Sequence, residues 1–281
     1  MKLCFNQATT LENSTLEKDL IYCEKHGYDF IEIRTEDKLP EYIHEHGFDS
    51  LASFFENSHL KPLALNALVF FNNLTPSAHG AMLAQFSNML KQADALKIPY
   101  IVAVPLVTTE PITKMEIEKS SVAVLRQLAK MAAPYEIKIA LEFVGHPDCT
   151  INTFGDAYNI VTKVDCENVG LVFDCFHFHA MGSSYEDLQK ADGEKIFIIH
   201  IDDTEDYPIG ALRDHHRVWP GEGCINLKKQ FQLLREIGAI EKPVSVELFR
   251  PEYYKMDPEE TIKQAKESTK RVMQQMLEGS V

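Results

Sequence analysis

The sequence predicts a (β/α)₈ TIM barrel formed as a single domain over residues 1–281. Eight short apolar runs alternate with stretches of helical periodicity from one end to the other. Each run switches character at every second residue, as a strand does when one side packs on helices and the other faces a lumen. The length of 281 residues lies near the ~250 typical of such barrels, and no linker or low-complexity segment divides it. A doubly wound sheet is the alternative, but it gives no reason for every strand to carry two distinct faces.

The first strand is Leu3 to Gln7, with Leu3 and Phe5 on one side and Cys4 and Asn6 on the other. Ser14 and Glu17 form a capping-box pattern, opening a helix that stops at Gly27. The second strand, Tyr28 to Arg34, sets Ile31 and Ile33 against Glu32 and Arg34. A broken helical region covers about Leu39 to His59. The third strand, Pro62 to Val69, sets Leu63 and Leu65 against Asn66. Asn72 to His79 is polar and reads as a loop before a helix to about Leu96. Tyr100 to Leu106 is the fourth strand, with Pro105 ending its ladder. Thr113 and Glu116 are a second capping box, for a helix to about Ala133.

The second half repeats one device four times. The runs KIALEFVGH, VGLVFDCFH, IFIIHIDDT and PVSVELFR each carry one metal-type ligand, Glu142, Asp174, His200 and Glu247. Each ligand lies in the phase opposite the large apolar residues, so all four face a shared interior. Helices are expected between these strands: one capped by Thr153, one near Tyr185 to Ala191, and one from Leu227 to Ile237. The last opens at Asp257-Pro258. The connection from Thr204 to Cys224 is long for an α/β unit and holds the only Trp.

Chemistry in such barrels sits at the C-terminal ends of the strands. The phase rule places Asn6, Glu32, Asn66, Pro105, Glu142, Asp174, His200 and Glu247 at the top of the lumen. Three carboxylates buried together are costly without a cation. A dication resolves the conflict, and three oxygens with one imidazole suit Zn²⁺, Mn²⁺, Co²⁺ or Mg²⁺. The bland alternative is local hydrogen bonds at four unrelated strand ends. His177, three residues past Asp174, could reach a substrate oxygen or simply anchor its loop. Arg217, before Trp219-Pro220-Gly221, could offer a guanidinium fork to substrate hydroxyls or pack the loop. Asp202 is a candidate acceptor for the His200 imidazole, and Glu32 and Arg34 could pair together or line the pocket. Asn6, Asn66, His177, Arg217 and Trp219 are therefore the candidate substrate-binding residues.

A net charge of −14 disfavours non-specific binding to nucleic acid or an anionic membrane. No apolar run reaches the ~20 residues that span a bilayer. MKLCFNQATT lacks a signal-peptide core, so a cytoplasmic location is expected. The six cysteines form no C-x-x-C pair and are expected as free thiols. Nothing in the composition sets the oligomeric state, and a homo-oligomer is compatible with it.

With the ligands placed, the stretches KLCFNQATT, PLALNALVFFNN, KIALEFVGHP, FHFHAMG, HIDDTEDYPIG, RVWPGEG and VSVELFRPEYYK carry a family resemblance. Over essentially its whole length the chain resembles the xylose-isomerase-like barrel superfamily, in its branch of sugar and cyclitol isomerases and epimerases. The resemblance implies one divalent metal, Zn, Mn or Co ahead of Mg, on Glu142, Asp174, His200 and Glu247. It implies that Glu142 and Glu247 double as acid/base groups. It also implies an intramolecular oxidoreductase acting on a cyclic polyol ketone in inositol catabolism. His177 and Arg217 match family positions, although the loop before the Arg is longer here. A related epimerase or dehydratase on the same fold, or a sugar-binding protein without catalysis, are the alternatives.

Overall fold

The structure, a computed structural model, describes residues 2–278. Its strands in chain order are β1 (Leu3–Asn6), β2 (Phe30–Arg34), β3 (Lys61–Val69), β4 (Tyr100–Val104), β5 (Lys138–Glu142), β6 (Val169–Asp174), β7 (Ile196–Ile201), β8 (Asp203–Thr204), β9 (Arg217–Val218) and β10 (Val244–Val246). All but β8 and β9 close into one barrel, ordered β1-β10-β7-β6-β5-β4-β3-β2 around the ring, and every pairing in it is parallel. β8 and β9 pair antiparallel inside the long connection. The helices are α1 (Leu16–Lys25), α2 (Lys38–His46), α3 (Phe48–Asn57), α4 (Pro76–Leu96), α5 (Lys114–Ala132), α6 (Phe154–Val164), α7 (Cys175–Ala180), α8 (Tyr185–Gln189), α9 (Leu227–Glu236) and α10 (Pro258–Glu278). None of the described helices is long and apolar enough to cross a membrane.

The two-residue alternation builds two separate apolar layers. One phase of the strands, with Phe5, Ile33, Leu141, Phe173 and Ile199, packs under the helices. The other phase fills the lumen with Cys4, Ala64, Val102, Ala140, Val172 and Ile198. One layer further up in that phase come Asn6, Asn66, Val104, Glu142, Asp174 and His200. The apolar lumen is thus a plug, and polar chemistry starts where the plug ends. Gly170 marks how tight the wall is, since a Cβ there would meet the Phe197 ring at 2.6 Å.

Several local expectations are corrected. Thr15, rather than Ser14, caps α1 by accepting from the Lys18 amide at 3.3 Å. α4 begins inside the expected loop, because Thr75 caps it and Pro76 occupies its first turn. Val104, rather than Pro105, lines the cleft at the top of β4. Val102 and Val104 share the lumen phase, while Pro105 follows the strand end in the phase of Ile101 and Ala103, which pack under the helices. The last strand stops at Val246 instead of Arg250, because the Leu248 amide turns to the Thr9 hydroxyl at 3.1 Å. α7 is unforeseen. The Asp174 carboxylate caps it, accepting from the His177 amide at 2.6 Å. The capping box of Thr113 and Glu116 and the Thr153 cap form as read. All six cysteines are free.

Asp19, on the inner face of α1, is a buried carboxyl with no direct part in the top of the lumen. It accepts from Gln7 Nε2 at 2.8 Å and from Thr10 Oγ1 at 3.1 Å. Burial pushes it up to about 6, against the pull of Ser14, Gln7, Thr10 and Lys38. In the unfolded chain it titrates near ~3.9. The folded chain therefore holds more protons between these values, and stability falls as pH rises through about 6. Asp19→Asn is expected to flatten that slope. The stability difference between pH 4 and pH 7, read from urea midpoints, should shrink by roughly 2–3 kcal/mol relative to wild type.

Candidate metal centre and cleft

His200, at the top of β7, is fully buried and its two ring nitrogens have separate neighbours. Nε2 lies 3.0 Å from Glu32 Oε1 on β2. A carboxylate can only accept there, so Nε2 carries a proton, which leaves Nδ1 as the nitrogen a metal would take. Nδ1 faces Glu142 Oε1 at 2.8 Å, Glu247 Oε2 at 3.2 Å and Asp174 Oδ2 at 3.7 Å. Nδ1 and Glu142 Oε1 nevertheless have no aligned hydrogen-bond partner among the described residues. The four side chains offer one ligand atom each, all within 4.8 Å of one another and all buried. A dication bonded at ~2.1 Å keeps its ligand atoms within about 4.2 Å of each other, so small side-chain adjustments suffice. The orphaned atoms, the donor set and the spacing all fit a metal ion held by Glu142, Asp174, His200 and Glu247.

The electrostatics agree. Burial opposes an imidazolium at His200, yet Glu32, Glu247 and Glu142 push its pKa well above the usual value. Burial, with help from Glu247 and Asp174, pushes Glu142 up to about 8 against the pull of His200. The pocket holds more negative charge than it can ionise comfortably, which is the charge a dication would neutralise. Glu32 itself is steadied by Asn66 Nδ2 at 3.3 Å. The sequence offered Asp202 for the imidazole, whereas Glu32 holds it from the far side of the ring. Arg34 does not pair with Glu32, and turns instead to Glu36 at 2.9 Å. Glu32→Gln keeps the shape and loses the charge that makes the imidazole a stronger ligand. It is expected to weaken Zn²⁺ binding about 10–100-fold in competition with a chromophoric chelator, with far-UV CD unchanged.

Arg217, on β9, is the second organising residue. Its side chain is fully buried between Phe176 and Phe249, with Cζ 4.5 Å from the Phe176 ring centre. Nη1 donates to Asp174 Oδ2 at 2.8 Å and to Asp202. Nη2 donates to Asp214 Oδ1 at 3.0 Å and to His177 Nε2 at 3.0 Å, while Nε donates to Asp214 at 3.2 Å. All five N–H groups of the guanidinium are thereby committed. Burial opposes ionisation of Asp174, but Arg217, His177 and His200 outweigh it and hold the carboxyl well below its usual range. The expected free fork for substrate hydroxyls is therefore not present. Arg217 ties a metal-ligand carboxylate to the neighbouring imidazole instead.

Above the four ligands opens a cleft of about 240 Å³. Glu142, Glu247, His177 and Asn66 line it, as do Arg34, Glu36 and Asp214. Ala67, Val69, Val104, Val107, Val144 and Phe249 supply its apolar lining. Because Arg217 can only donate, His177 Nε2 accepts and the ring proton sits on Nδ1. That Nδ1 has no partner among the described residues. Burial, with Arg217, holds the pKa of His177 down against Asp174, so the ring stays neutral. Two residues read as substrate-binding lie elsewhere. Asn6 is buried away from the cleft and donates to Glu247 Oε1 at 2.8 Å, while its Oδ1 accepts from Ala8. Trp219 is buried and stacked on Tyr253 at 4.1 Å, where it packs the long connection. Neither gave a signal to the contrary in sequence, because alternation reports a side and not a neighbour.

Residues 20–272 match the family described as xylose isomerase-like TIM barrel. The chain belongs to that family. Proteins named inosose isomerase are among its relatives. The one from Halalkalibacterium halodurans is 60% identical over 273 residues, covering 97% of this chain and 96% of its own. The one from Bacillus subtilis is 60% identical over 269 residues, covering 96% of each. Among solved structures, a crystal structure of IOLI protein with a binding zinc atom superposes at a TM-score of 0.97 and 60% identity, covering 98% of this chain and 99% of that one.

Proposed function

We propose that this chain is a divalent-metal-dependent isomerase that interconverts 2-keto-myo-inositol and 1-keto-D-chiro-inositol in inositol catabolism, using Zn, Mn or Co in preference to Mg. The observation that carries the proposal is the pair of buried carboxylates, Glu142 and Glu247, flanking one ligand nitrogen at the floor of a cleft. Full-length identity of 60% to proteins named inosose isomerase supports the choice of substrate.

A bound dication supplies Lewis acidity, which polarises a carbonyl and lowers the barrier to ionising the neighbouring C–H. The protein's own groups do the rest. One of the two glutamates takes the proton from the carbon that bears the hydroxyl. The pair returns a proton to the former carbonyl carbon, and the hydroxyl proton passes to the former carbonyl oxygen, so ketone and alcohol exchange places with no net redox change. Glu142 lines the cleft, which places its carboxylate to accept a carbon-bound proton once a dication holds it ionised. His177 donates its Nδ1–H to a substrate oxygen, and Arg217 fixes that tautomer through Nε2. Phe249, Val104 and Val144 exclude water from the face where the proton moves.

The test is NMR of 2-keto-myo-inositol incubated with the protein in deuterated water, with and without chelator. Expected is an isomeric ketone, deuterium at the reacting carbon, and loss of both on chelation. A dione product would make the protein a dehydratase. Thermal stabilisation by the ketone without turnover would make it a sugar-binding protein.

A further inference from the structure

We propose that Arg34 determines specificity at this site, gripping neighbouring hydroxyls on the edge of the ring remote from the reacting carbonyl. The inference rests on the isomerase function proposed above and deepens it.

The ring order of the barrel supplies the first argument. The metal-ligand strands β10, β7, β6 and β5 are consecutive and occupy one half of the mouth. β2 lies four strands from β6 in either direction, directly across the mouth from Asp174. Arg34 is the last residue of β2 and shares the lumen phase of Glu32, one layer higher. It therefore sits at the rim, opposite and above the ligands, while lining the same cleft as Glu142 and Glu247.

Its side chain is held there without being used up. The backbone is fixed by the Arg34 amide donating to Gln7 Oε1 at 3.1 Å. Among the described residues, the only side-chain hydrogen bond runs from Nη2 to Glu36 Oε2 at 2.9 Å, and the Glu36 side chain is 50% exposed. The Arg34 side chain is mostly buried, but the Glu36 carboxylate reaches solvent and can give up its place to a substrate hydroxyl. Nε is buried without a hydrogen-bond partner there, 3.6 Å from Asp37 Oδ1. Arg34 is also the only Lys or Arg among the residues lining the cleft. The contrast with Arg217 decides between them. Arg217 has every donor committed, whereas Arg34 has Nη1 without a hydrogen bond among the described residues and Nη2 on a half-exposed partner.

The cleft's asymmetry says what that fork meets. Val69, Val104 and Val144, at or just past the ends of the consecutive strands β3, β4 and β5, give the cleft one apolar side, and Glu36 and Asp214 bring charge to its lining. A six-membered carbocycle bearing mostly equatorial hydroxyls has C–H faces and a polar edge. With its carbonyl and adjacent hydroxyl at the ligand cluster, a C–H face lies on the apolar side and the far edge reaches Arg34. A planar fork with parallel N–H groups matches two vicinal hydroxyls, which a lysine ammonium would not match. Glu36 and Asp214 on the same rim disfavour a carboxylate in that position, which favours a neutral polyol.

Arg34→Met and Arg34→Lys are to be compared with wild type on 2-keto-myo-inositol and on an analogue lacking the hydroxyl opposite the carbonyl. Calorimetric binding of myo-inositol is the readout independent of turnover. Expected for Arg34→Met is KM raised about 10–100-fold with kcat within about threefold, and a similar loss of myo-inositol affinity. Discrimination against the deoxy analogue should be strong in wild type and absent in Arg34→Met, with Arg34→Lys between. A merely structural role would not remove that discrimination. If wild type isomerises the ketone while Arg34→Met keeps its KM or its discrimination, the role of Arg34 is wrong and the isomerase function stands. If wild type leaves the ketone unchanged, the isomerase function falls, and the Arg34 inference with it.

Discussion

Glu247→Gln is expected to lower kcat for ketone isomerisation by about 10²–10⁴-fold, the range for loss of a positioned acid/base group. Glu142→Gln is expected to do the same, but the two should differ in kind. Glu247 is anchored, with Oε1 taken by Asn6 Nδ2 at 2.8 Å and Oε2 turned toward His200. Glu142 has Oε1 without an aligned partner among the described residues, and its proton affinity is raised by burial. The less anchored carboxylate is the better placed first acceptor of a carbon-bound proton. Substrate incubated in deuterated water separates the roles, because exchange at the reacting carbon can continue when only reprotonation is blocked. Glu142→Gln should abolish that exchange, and Glu247→Gln should leave a measurable part of it. Both residues are also proposed ligands, so bound metal must be measured in the same samples. Full turnover by either variant at full metal content would remove that residue from the proton path.

Much of this site was legible because a barrel converts a simple pattern into a place. Period-two alternation fixed the side on which Glu142, Asp174, His200 and Glu247 lie, and strand ends fixed their height. What alternation leaves open is contact across the ring. Glu32 and His200 are 168 positions apart on strands that are not neighbours, so only closure of the barrel brings them together. Asp202 has the phase of His200 but stands above it, where the long connection delivers Arg217. Nothing in the run of that connection showed that its guanidinium turns inward with every donor satisfied. Trp219 misleads for the same reason, since a lone Trp in a long loop can stack on Tyr253 as well as wall a pocket. The end of the last barrel strand was obscured by a side chain, the Thr9 hydroxyl, taking the amide that would have continued the ladder.

Arg217→Met should destabilise the fold more than any other single substitution at this site. The guanidinium is the shared counter-charge of Asp174, Asp202 and Asp214, and its Nη1 also lies 3.6 Å from Glu247 Oε2. Asp214 is half exposed and can turn to water. Asp202 cannot, because it is fully buried, its Oδ1 has no partner among the described residues, and its Oδ2 bonds to Arg217. Burial and the Asp174 charge raise its pKa against the pull of Arg217, so the charge that Arg217 holds most firmly is that of Asp174. Breaking a buried pair from one side leaves an uncompensated charge, at a cost of about 3–5 kcal/mol. For a chain of this size that corresponds to a fall in Tm of roughly 10 °C. Methionine keeps much of the packing between Phe176 and Phe249, so the loss reports mainly on charge. Asp202→Asn alone should cost less, because Arg217 retains Asp174 and Asp214. In the double variant Arg217→Met with Asp202→Asn, stability should recover by about 1–3 kcal/mol over Arg217→Met, a coupling typical of contacting residues. Urea unfolding of the four proteins, metal-loaded and after chelation, measures it. Additive single effects would show that Asp202 does not depend on Arg217 for its charge.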